Sequence, residues 1–320
     1  MPPDDERRRR AAVVVNPSKV TDLGALRGSL TLAMTNAGWS APLWLETTAA
    51  DPGYGMTRQA LDDGATLVLA CGGDGTVRAV LTTLAGSGIP LGVIPAGTGN
   101  LFARNLGLPL GDPQAALSVA LTGTDRAIDV ARIEPTTPQG RQERFAVMAG
   151  LGFDAAMMRD APKKLKARMG WAAYLVSASK HLRGSSMRVQ VRIDHGEPIR
   201  ARARTVVIGN VPTLPGGLQL LPDARPDDGI LDVAIIAGHS LTDWVRVLTR
   251  VLTHRSDVDA RYSTYQGKTI QITASSPQPR EIDGDLIAEG NQLTVEIEAA
   301  ALLVRVPIHD NDTTSGQDPR

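Results

Sequence analysis

Hydrophobic residues in the first third of the chain follow two alternating patterns. Short apolar runs at 11–15, 67–70 and 91–94 are long enough for buried strands and too short for helices. Between these runs, apolar residues recur three and four positions apart, and Gly86 is placed to end the helix that contains Val77. Strands that alternate with helices through short connections predict a parallel sheet covered by helices.

From about residue 127 the pattern changes to β-rich runs. Several of them alternate apolar and polar residues, as a sheet with one solvent-facing side requires. The runs lie at 127–133, 144–149, 187–193, 203–210, 231–236, 261–265, 269–274, 293–297 and 302–306. Two helical patterns, which begin at Asp160 and Ser240, interrupt them. This part of the chain therefore predicts a second domain, an antiparallel β-sandwich.

The length of 320 residues indicates one large domain or two ordinary ones, and the 42% of hydrophobic residues is enough for packed cores. We predict a disordered basic tail over 1–10, an α/β domain over 11–128, a β-sandwich over 129–308 and a disordered tail over 309–320. Basic and acidic residues number 34 each, which argues against a general nucleic-acid-binding protein. No apolar run reaches the ~20 residues of a membrane span. The single cysteine, Cys71, is expected to be a small buried residue, and the default expectation is a cytoplasmic protein.

Two glycine-rich turns follow successive predicted strands. Their residues are Gly72, Gly73, Asp74, Gly75 and Thr76 in the first turn, and Gly97, Thr98, Gly99 and Asn100 in the second. A glycine turn between a strand and a helix places backbone N–H groups and a helix N-terminus where they can hold a phosphate group. Two such turns at the ends of successive strands indicate a polyphosphate held between them.

Asp74 makes the first turn more informative than a plain glycine turn. A carboxylate beside a phosphate repels it unless a cation lies between them or the acid has another partner. Asp74 therefore suggests the chemistry of a Mg²⁺-bound nucleotide. The turn has neither the GxxxxGK[ST] pattern of P-loop enzymes nor the GxGxxG spacing of dinucleotide sites.

The motifs GGDGT at 72–76 and PAGTGN at 95–100 together resemble those of the diacylglycerol kinase-like lipid kinases. Distant relatives of this family are the NAD kinases and phosphofructokinases, and the resemblance extends from about residue 13 to about residue 306. It implies a three-layer α/β nucleotide-binding domain followed by a β-sandwich, with catalysis in the cleft between them. The implied co-substrate is ATP with Mg²⁺, and the expected acceptor is diacylglycerol, which would give phosphatidic acid.

The resemblance also implies nucleotide contacts after the first two strands. The family has an Asn-Pro turn that approaches the nucleotide, and it corresponds to Asn16, Pro17 and Ser18. A threonine after the second strand has the same role in the family. This chain has Thr47 and Thr48 there, and Thr48 is the preferred candidate.

The resemblance places the general base in the turn Asp283-Gly284-Asp285. Acid–glycine–acid turns between strands most often only reverse the chain, so this assignment depends on the family. The family has Asp-Gly-Glu at this place, and Asp285 retains the acid with a reach one methylene shorter. Asp283, Asp285 and Asp74 are therefore the candidate catalytic residues, and the sequence does not decide between Asp283 and Asp285.

A third acidic segment, 222–232, is by itself either an oxygen-ligand cation loop or a solvated turn. It resembles the segment in which the family binds a structural Mg²⁺. Carried over, the ligands are the Asp228 carboxylate and the backbone carbonyls of Arg225 and Ile230. The histidines are scattered and give no metal signal. Asn210 with the glycine loop at 215–217, and the turn at 150–154, resemble further family segments.

Two departures from the family pattern leave other functions open. Leu101 stands where the family often has an aspartate of its metal-linked acid network, and Asp285 replaces a glutamate. These departures make a non-catalytic nucleotide-binding regulator one alternative. A kinase for NAD, which shares the GGDGT motif, and a kinase for a sphingoid base are the others.

The expected partner is a lipid substrate at a membrane surface, with no nucleic acid. Basic residues 163–168, at the start of the helix from Asp160, form either a solvated face or one attracted to anionic membrane or phosphate. The sequence is compatible with peripheral contact at the inner face of the membrane, and it leaves open whether the chain forms a homodimer.

Overall fold

The computed structural model describes residues 9–135, 142–152, 186–213, 219–237 and 262–308. These residues form two compact units, one containing the chain up to Ile128 and again from Ala301, the other containing Asp129–Ala300. The predicted helices from Asp160 and Ser240, the basic residues 163–168, the loop at 215–217 and most of both tails lie outside the described residues. Within the described ranges, no helix combines the length and apolar character needed to cross a bilayer.

The first unit alternates strands with helices, as predicted. Its elements are β1 (Ala11–Val15), α1 (Leu23–Asn36), β2 (Leu43–Glu46), α2 (Tyr54–Asp62), β3 (Leu67–Gly72), α3 (Asp74–Leu84), β4 (Leu91–Pro95), α4 (Leu101–Asn105) and α5 (Pro113–Thr122). A single 3-10 turn, Pro17–Lys19, follows β1. The strands are all parallel in the order β2-β1-β3-β4, which confirms the predicted parallel sheet.

Local sequence explains why these elements begin and pack as they do. The Asp22 carboxylate accepts a hydrogen bond from Ala25 N at 2.8 Å and so caps α1, whose Leu30 and Met34 are fully buried. Strands β1 and β3 are buried along their whole length, as strands covered by helices on both faces should be. Cys71 is the buried residue that was expected, and burial raises the pKa of its thiol to about 12.

The second unit is built from antiparallel strands, as predicted. The strands that lie wholly or partly in it are β5 (Thr124–Ile133), β6 (Glu143–Phe145), β7 (Met148–Leu151), β8 (Met187–Ile193), β9 (Ile199–Ala203), β10 (Thr205–Gly209), β11 (Leu231–Ile236), β12 (Tyr262–Gly267), β13 (Thr269–Ile282) and β14 (Asp285–Val306). The long strand β13 pairs with β8 near its beginning and with β7 near its end. Strands β7, β10, β11 and β12 continue from there, each antiparallel to the last.

Several predicted boundaries need correction. The run at 144–149 is two strands, because Ala146 and Val147 leave the ladder and the Val147 N–H donates to the Asp283 carboxylate instead. The run at 203–210 is divided at Arg204, and strand β9 before it was not predicted. The runs at 269–274, 293–297 and 302–306 belong to the two long strands β13 and β14.

Residues 301–308 were predicted as part of the second domain, but they belong to the first unit. The end of β14 runs parallel to β4, with Val304 opposite Leu91. Leu302, Val304 and Val306 are buried, so apolar burial fixes this end of the chain against the parallel sheet.

Candidate functional site

The predicted nucleotide-binding residues all lie at or just after the carboxyl ends of parallel strands. Val15 is paired with Glu46 and Cys71, and Gly72 is paired with Pro95, so the four strands end nearly level. At these ends lie Asn16, Pro17 and Ser18 after β1, Thr48 after β2, Gly72 as the last residue of β3 with Gly73 to Thr76 after it, and Gly97 to Asn100 after β4. The fold therefore brings these residues to one edge of the sheet, where open α/β sheets bind their ligands.

The two glycine turns touch through their backbones. A Cβ atom at Gly97 would lie 2.6 Å from the Cα atom of Gly73 and 2.7 Å from Oδ1 of Asn100. The Ala96 N–H donates to the Gly72 carbonyl at 2.8 Å and ties the turns together. Glycine is therefore required here by the close approach of two main chains, which a side chain would prevent.

Asn100 shapes the second turn. Its Oδ1 accepts from the Gly97 N–H and its Nδ2 donates to the Gly97 carbonyl, both at 3.0 Å. Asn100 has φ 47°, in the left-handed region that asparagine tolerates better than most residues. Because its amide is occupied within the turn, Asn100 orients the backbone rather than extending away from it.

Asp74 connects the two turns. It is the first residue of α3, where a negative charge is stabilised by the helix dipole, and its Oδ1 accepts from the Leu101 N–H at 2.6 Å. This backbone N–H is the second partner that the sequence argument left open as an alternative to a cation. The Leu101 side chain is buried, so the residue that departs from the family pattern meets Asp74 through its main chain.

Arg104 is a candidate that the sequence analysis missed. Its Nε donates to the Gly99 carbonyl at 2.8 Å, and its side chain is exposed beside the second turn. A guanidinium fixed next to an anion-binding turn can contact a phosphate with the rest of its donors. The sequence feature that could have identified Arg104 is its position, four residues after Asn100 at the end of the second glycine turn.

The turns after β1 and β2 are also fixed by side chains. Asn16 Oδ1 accepts from Ser18 N at 3.0 Å and from Ser18 Oγ at 2.7 Å. Thr48 Oγ1 accepts from the Asp51 N–H at 3.0 Å. Thr47 is buried and Thr48 is exposed, so the accessible hydroxyl of the pair belongs to Thr48, the preferred candidate.

In the second unit, the two acids of the turn between β13 and β14 have different environments. Asp283 is 5% exposed, and its Oδ1 accepts from the N–H groups of Val147 at 3.1 Å and Met148 at 2.9 Å. Asp285 is exposed at the start of β14, opposite Ile282. The geometry supports a positioning role for Asp283 and leaves Asp285 as the acid that a substrate can reach.

Replacing Asp283 with Ala should destabilise the protein by about 2–4 kcal/mol, because two buried N–H groups would lose their acceptor. Alanine is also strained at φ 47°. Urea unfolding followed by circular dichroism measures this loss. Wild-type stability in Asp283→Ala would show that the carboxylate does not hold the turn.

The acidic segment is held by Asp129, which the sequence analysis did not single out. Asp129 is 2% exposed; its Oδ2 accepts from the Gly229 N–H at 2.6 Å and its Oδ1 from the Ala300 N–H at 2.7 Å. Its own N–H donates to the Pro226 carbonyl at 2.7 Å. The sequence feature that could have identified Asp129 is an aspartate inside an apolar run. These hydrogen bonds hold the predicted metal loop in place.

Two carboxylates of the predicted metal loop lie in different environments. Asp228 is exposed and its Oδ1 accepts from the Ile230 N–H at 3.1 Å. Asp232 is buried, its Oδ1 accepts from Gln266, and its Oδ2 has no hydrogen-bond partner among the described residues. The pKa of Asp232 is raised to about 6, mainly because the carboxyl group is buried; the Gln266 hydrogen bond lowers this pKa, and the carboxylates of Asp228 and Asp223 raise it.

These features fit a hard cation bound mainly through oxygen atoms and water. In the described part of the chain, no three His, Cys, Asp or Glu side chains are grouped closely enough to hold a metal. The predicted ligand set has one carboxylate and two backbone carbonyls, so it does not need three such side chains. Oxygen ligands of this kind suit Mg²⁺.

Comparison with known families and proteins covers both units. Residues 10–133 match the family model described as the diacylglycerol kinase catalytic domain. Residues 146–306 match the model described as the YegS C-terminal NAD kinase beta sandwich-like domain. The chain is 32% identical over 253 residues to a protein of Mycobacterium tuberculosis (strain H37Rv) named diacylglycerol kinase, which covers 78% of this chain and 80% of that protein.

Other relatives agree with this comparison. The chain is 33% identical over 254 residues to a Klebsiella pneumoniae protein named probable lipid kinase YegS-like, with coverage of 78% and 80%. A solved diacylglycerol kinase structure from Bacillus anthracis superposes with a TM-score of 0.68 at 21% identity, covering 93% of this chain and 97% of that one. Yeast NADH kinase superposes with a TM-score of 0.53 at 10% identity, covering 96% and 85%. The two solved structures establish the fold.

Proposed function

This chain belongs to the diacylglycerol kinase family of lipid kinases, and we propose that it transfers the γ-phosphate of ATP to the hydroxyl of diacylglycerol. The acceptor oxygen bonds to the γ-phosphorus, the bond from that phosphorus to the β,γ-bridging oxygen breaks, and ADP and phosphatidic acid leave. The observation that carries this proposal is the backbone contact between Gly73 and Gly97, which joins two anion-binding turns at the carboxyl edge of the parallel sheet.

The first unit supplies the nucleotide-binding groups. The first turn of α3 presents backbone N–H groups at a helix N-terminus, which is a position that can hold phosphate oxygens. The Gly73 carbonyl, which accepts from the Thr76 and Val77 N–H groups at 3.0 and 3.1 Å, fixes this turn. Arg104 adds a positive charge beside the second turn. Asp74 keeps the start of α4 in place through the Leu101 N–H, so loss of its carboxylate should disturb both turns.

The second unit supplies the base. Asp285 is exposed and accepts the proton of the acceptor hydroxyl as the new phosphorus–oxygen bond forms. Asp283 fixes the conformation of the same turn through Val147 and Met148. Gly284 has φ 89°, and its N–H donates to Glu281 at 3.0 Å, so the turn has one defined shape.

Mg²⁺ fits two places in this proposal. Bound with ATP, it neutralises phosphate charge. A structural ion would be held by the Asp228 carboxylate and the carbonyls of Arg225 and Ile230. Asp232, whose pKa is raised by burial and by the Asp228 carboxylate, has an Oδ2 atom with no hydrogen-bond partner in the part of the chain that the structure describes.

Replacing Asp228 with Ala should remove most of the stabilisation that Mg²⁺ gives to the protein. An ion that binds only the folded state raises stability in proportion to RT ln(1 + [Mg²⁺]/Kd), so loss of a ligand reduces the shift in melting temperature. Thermal unfolding with Mg²⁺ and with EDTA measures the difference. The matched control is Asp227→Ala, which removes an exposed neighbouring carboxylate. Equal Mg²⁺ shifts in both variants would contradict the structural-ion assignment.

Substrate competition tests the function itself. The protein is incubated with labelled ATP and Mg²⁺ together with diacylglycerol, a sphingoid base or NAD, and the labelled product is identified. We expect labelled phosphatidic acid. Label in the sphingoid base or in NAD alone would replace the proposed acceptor, and no labelled product would favour a non-catalytic regulator.

A further inference from the structure

Strands β8 and β9 have arginine at four of their five exposed positions. Its inward residues, such as Val189 and Ala203, are buried in the core of the second unit. The outward positions alternate with them and are all exposed: Arg188, Gln190 and Arg192 on β8, and Arg200 and Arg202 on β9. The alternation places every one of these side chains on the same solvent-facing side.

The strand register brings like charges together. Arg188 lies directly opposite Arg202, and Arg200 lies opposite Gln190. Like charges in directly opposed positions destabilise an antiparallel pair. This arrangement therefore works against the stability of the hairpin, and such local conflicts in a sequence tend to mark functional surfaces.

The neighbouring strand extends this surface with uncharged polar groups. Gln271 on β13 pairs with Arg192, and Thr273 pairs with Gln190, and both are exposed. We call the seven outward residues of the three strands the arginine face: Arg188, Gln190, Arg192, Arg200, Arg202, Gln271 and Thr273. None of these positions is acidic or aromatic.

The positive charge of the arginine face is not neutralised within the described chain. None of its four arginines forms an ion pair with a described residue, whereas Arg132 and Arg144 pair with Glu296 and Glu298. Asp194, in the turn between β8 and β9, instead accepts from the N–H groups of Lys268 and Thr269. In a chain of zero net charge, this is a local concentration of unpaired positive charge.

We propose that the arginine face docks on the anionic phospholipid headgroups of a membrane surface. This inference rests on the proposed function, because the acceptor diacylglycerol resides in a bilayer and the enzyme must reach it there. Guanidinium groups bind phosphate in a two-pronged geometry, which suits rows of phosphodiester headgroups. The absence of aromatic residues at these positions disfavours single-stranded nucleic acid, whose bases stack on aromatic rings.

The expected binding is electrostatic and reversible. Each basic residue near an anionic membrane strengthens partitioning about fivefold, so removal of all four arginines should weaken it by several hundredfold. No large apolar side chain lies on the face, so the attachment should weaken steeply as added salt screens the charges.

The test is sedimentation of the full-length protein with phosphatidylcholine vesicles that contain phosphatidylglycerol. The variant replaces Arg188, Arg192, Arg200 and Arg202 with Gln. We expect it to lose binding to these vesicles and to retain wild-type activity on short-chain diacylglycerol in detergent micelles. Single variants provide the matched pair: Arg202→Gln should weaken binding about fivefold, and Arg58→Gln, an exposed arginine on α2, should leave it unchanged.

Several results would overturn the proposal. One is vesicle binding at the wild-type level by the variant in which all four arginines are Gln. Another is an equal loss of vesicle binding in Arg58→Gln and Arg202→Gln. A third is binding of the wild-type protein to an oligonucleotide and not to vesicles. A variant in which all four arginines are Lys keeps the charge and should retain most of the vesicle binding. If this variant loses as much binding as the Gln variant, that result would also contradict an electrostatic surface. The two proposals fail in different ways. If the proposed function is wrong, the wild-type protein will be inactive in micelles although its vesicle binding still depends on the arginines.

Discussion

Replacing Asp285 with Asn is expected to lower kcat by about 10²–10⁴-fold, the usual contribution of a general base. Asparagine matches aspartate in shape but cannot take the proton from the acceptor hydroxyl. Because Asp285 is exposed, the melting temperature should not change. Initial rates at saturating ATP and diacylglycerol, together with thermal unfolding, measure both quantities. Asp285→Glu restores the family residue and should retain activity.

The matched control for Asp285→Asn is Asp283→Asn. Asparagine tolerates the left-handed φ of 47° and keeps an oxygen that can accept from Val147 and Met148. If Asp283 only positions the turn, this variant should remain within about tenfold of the wild-type rate. Wild-type turnover in Asp285→Asn would remove Asp285 from the mechanism, and inactivity of a stable Asp283→Asn would make Asp283 the base.

Replacing Gly97 with Ala should weaken ATP binding by about 10- to 100-fold. The added Cβ would lie 2.6 Å from the Gly73 Cα, so one of the two turns must move. Overpacking of this kind costs about 1–3 kcal/mol, and each 1.4 kcal/mol is tenfold in affinity. The displaced turn would carry its N–H groups away from the phosphates. Isothermal titration with ATP and Mg²⁺ measures the change.

Gly28→Ala is the control for this substitution. Gly28 lies within α1, and apart from the local helix backbone and the adjoining residues no atom lies within 4 Å of the position of an added Cβ. Alanine favours a helix over glycine by about 1 kcal/mol, so this variant should be slightly more stable and bind ATP normally. ATP binding by Gly97→Ala that equals binding by Gly28→Ala would exclude the two-turn cradle as the nucleotide site.

Much of the fold follows from local sequence. Strands β1, β8 and β11 have the predicted bounds, because each is an apolar or alternating run ended by turn residues. The glycine turns were found by their motifs, since a turn that brings backbone to a phosphate or to another backbone requires glycine at fixed positions. The family resemblance, which the comparisons confirm, was also carried by those two motifs.

The roles of individual acids did not follow from local sequence. Asp283 and Asp285 are two residues apart, yet one is buried against Val147 and Met148 and the other is exposed. The Asp74 carboxylate accepts a hydrogen bond from the Leu101 N–H, which comes after the next strand, β4, 27 residues along the chain. Hydrogen bonds between distant segments determine which carboxylate is available, and spacing along the chain does not encode them.

The sequence by itself determined the alternation of strands and helices in the first unit, the two glycine turns and the family, because these depend on residue types at short, fixed separations. The tertiary structure alone decided that Gly73 and Gly97 are in contact, that Asp129 holds the acidic loop, and that four arginines of β8 and β9 share one surface. The physical reason is register: a pairing shift of one residue reverses which side of a strand faces solvent, and only the folded sheet fixes that shift.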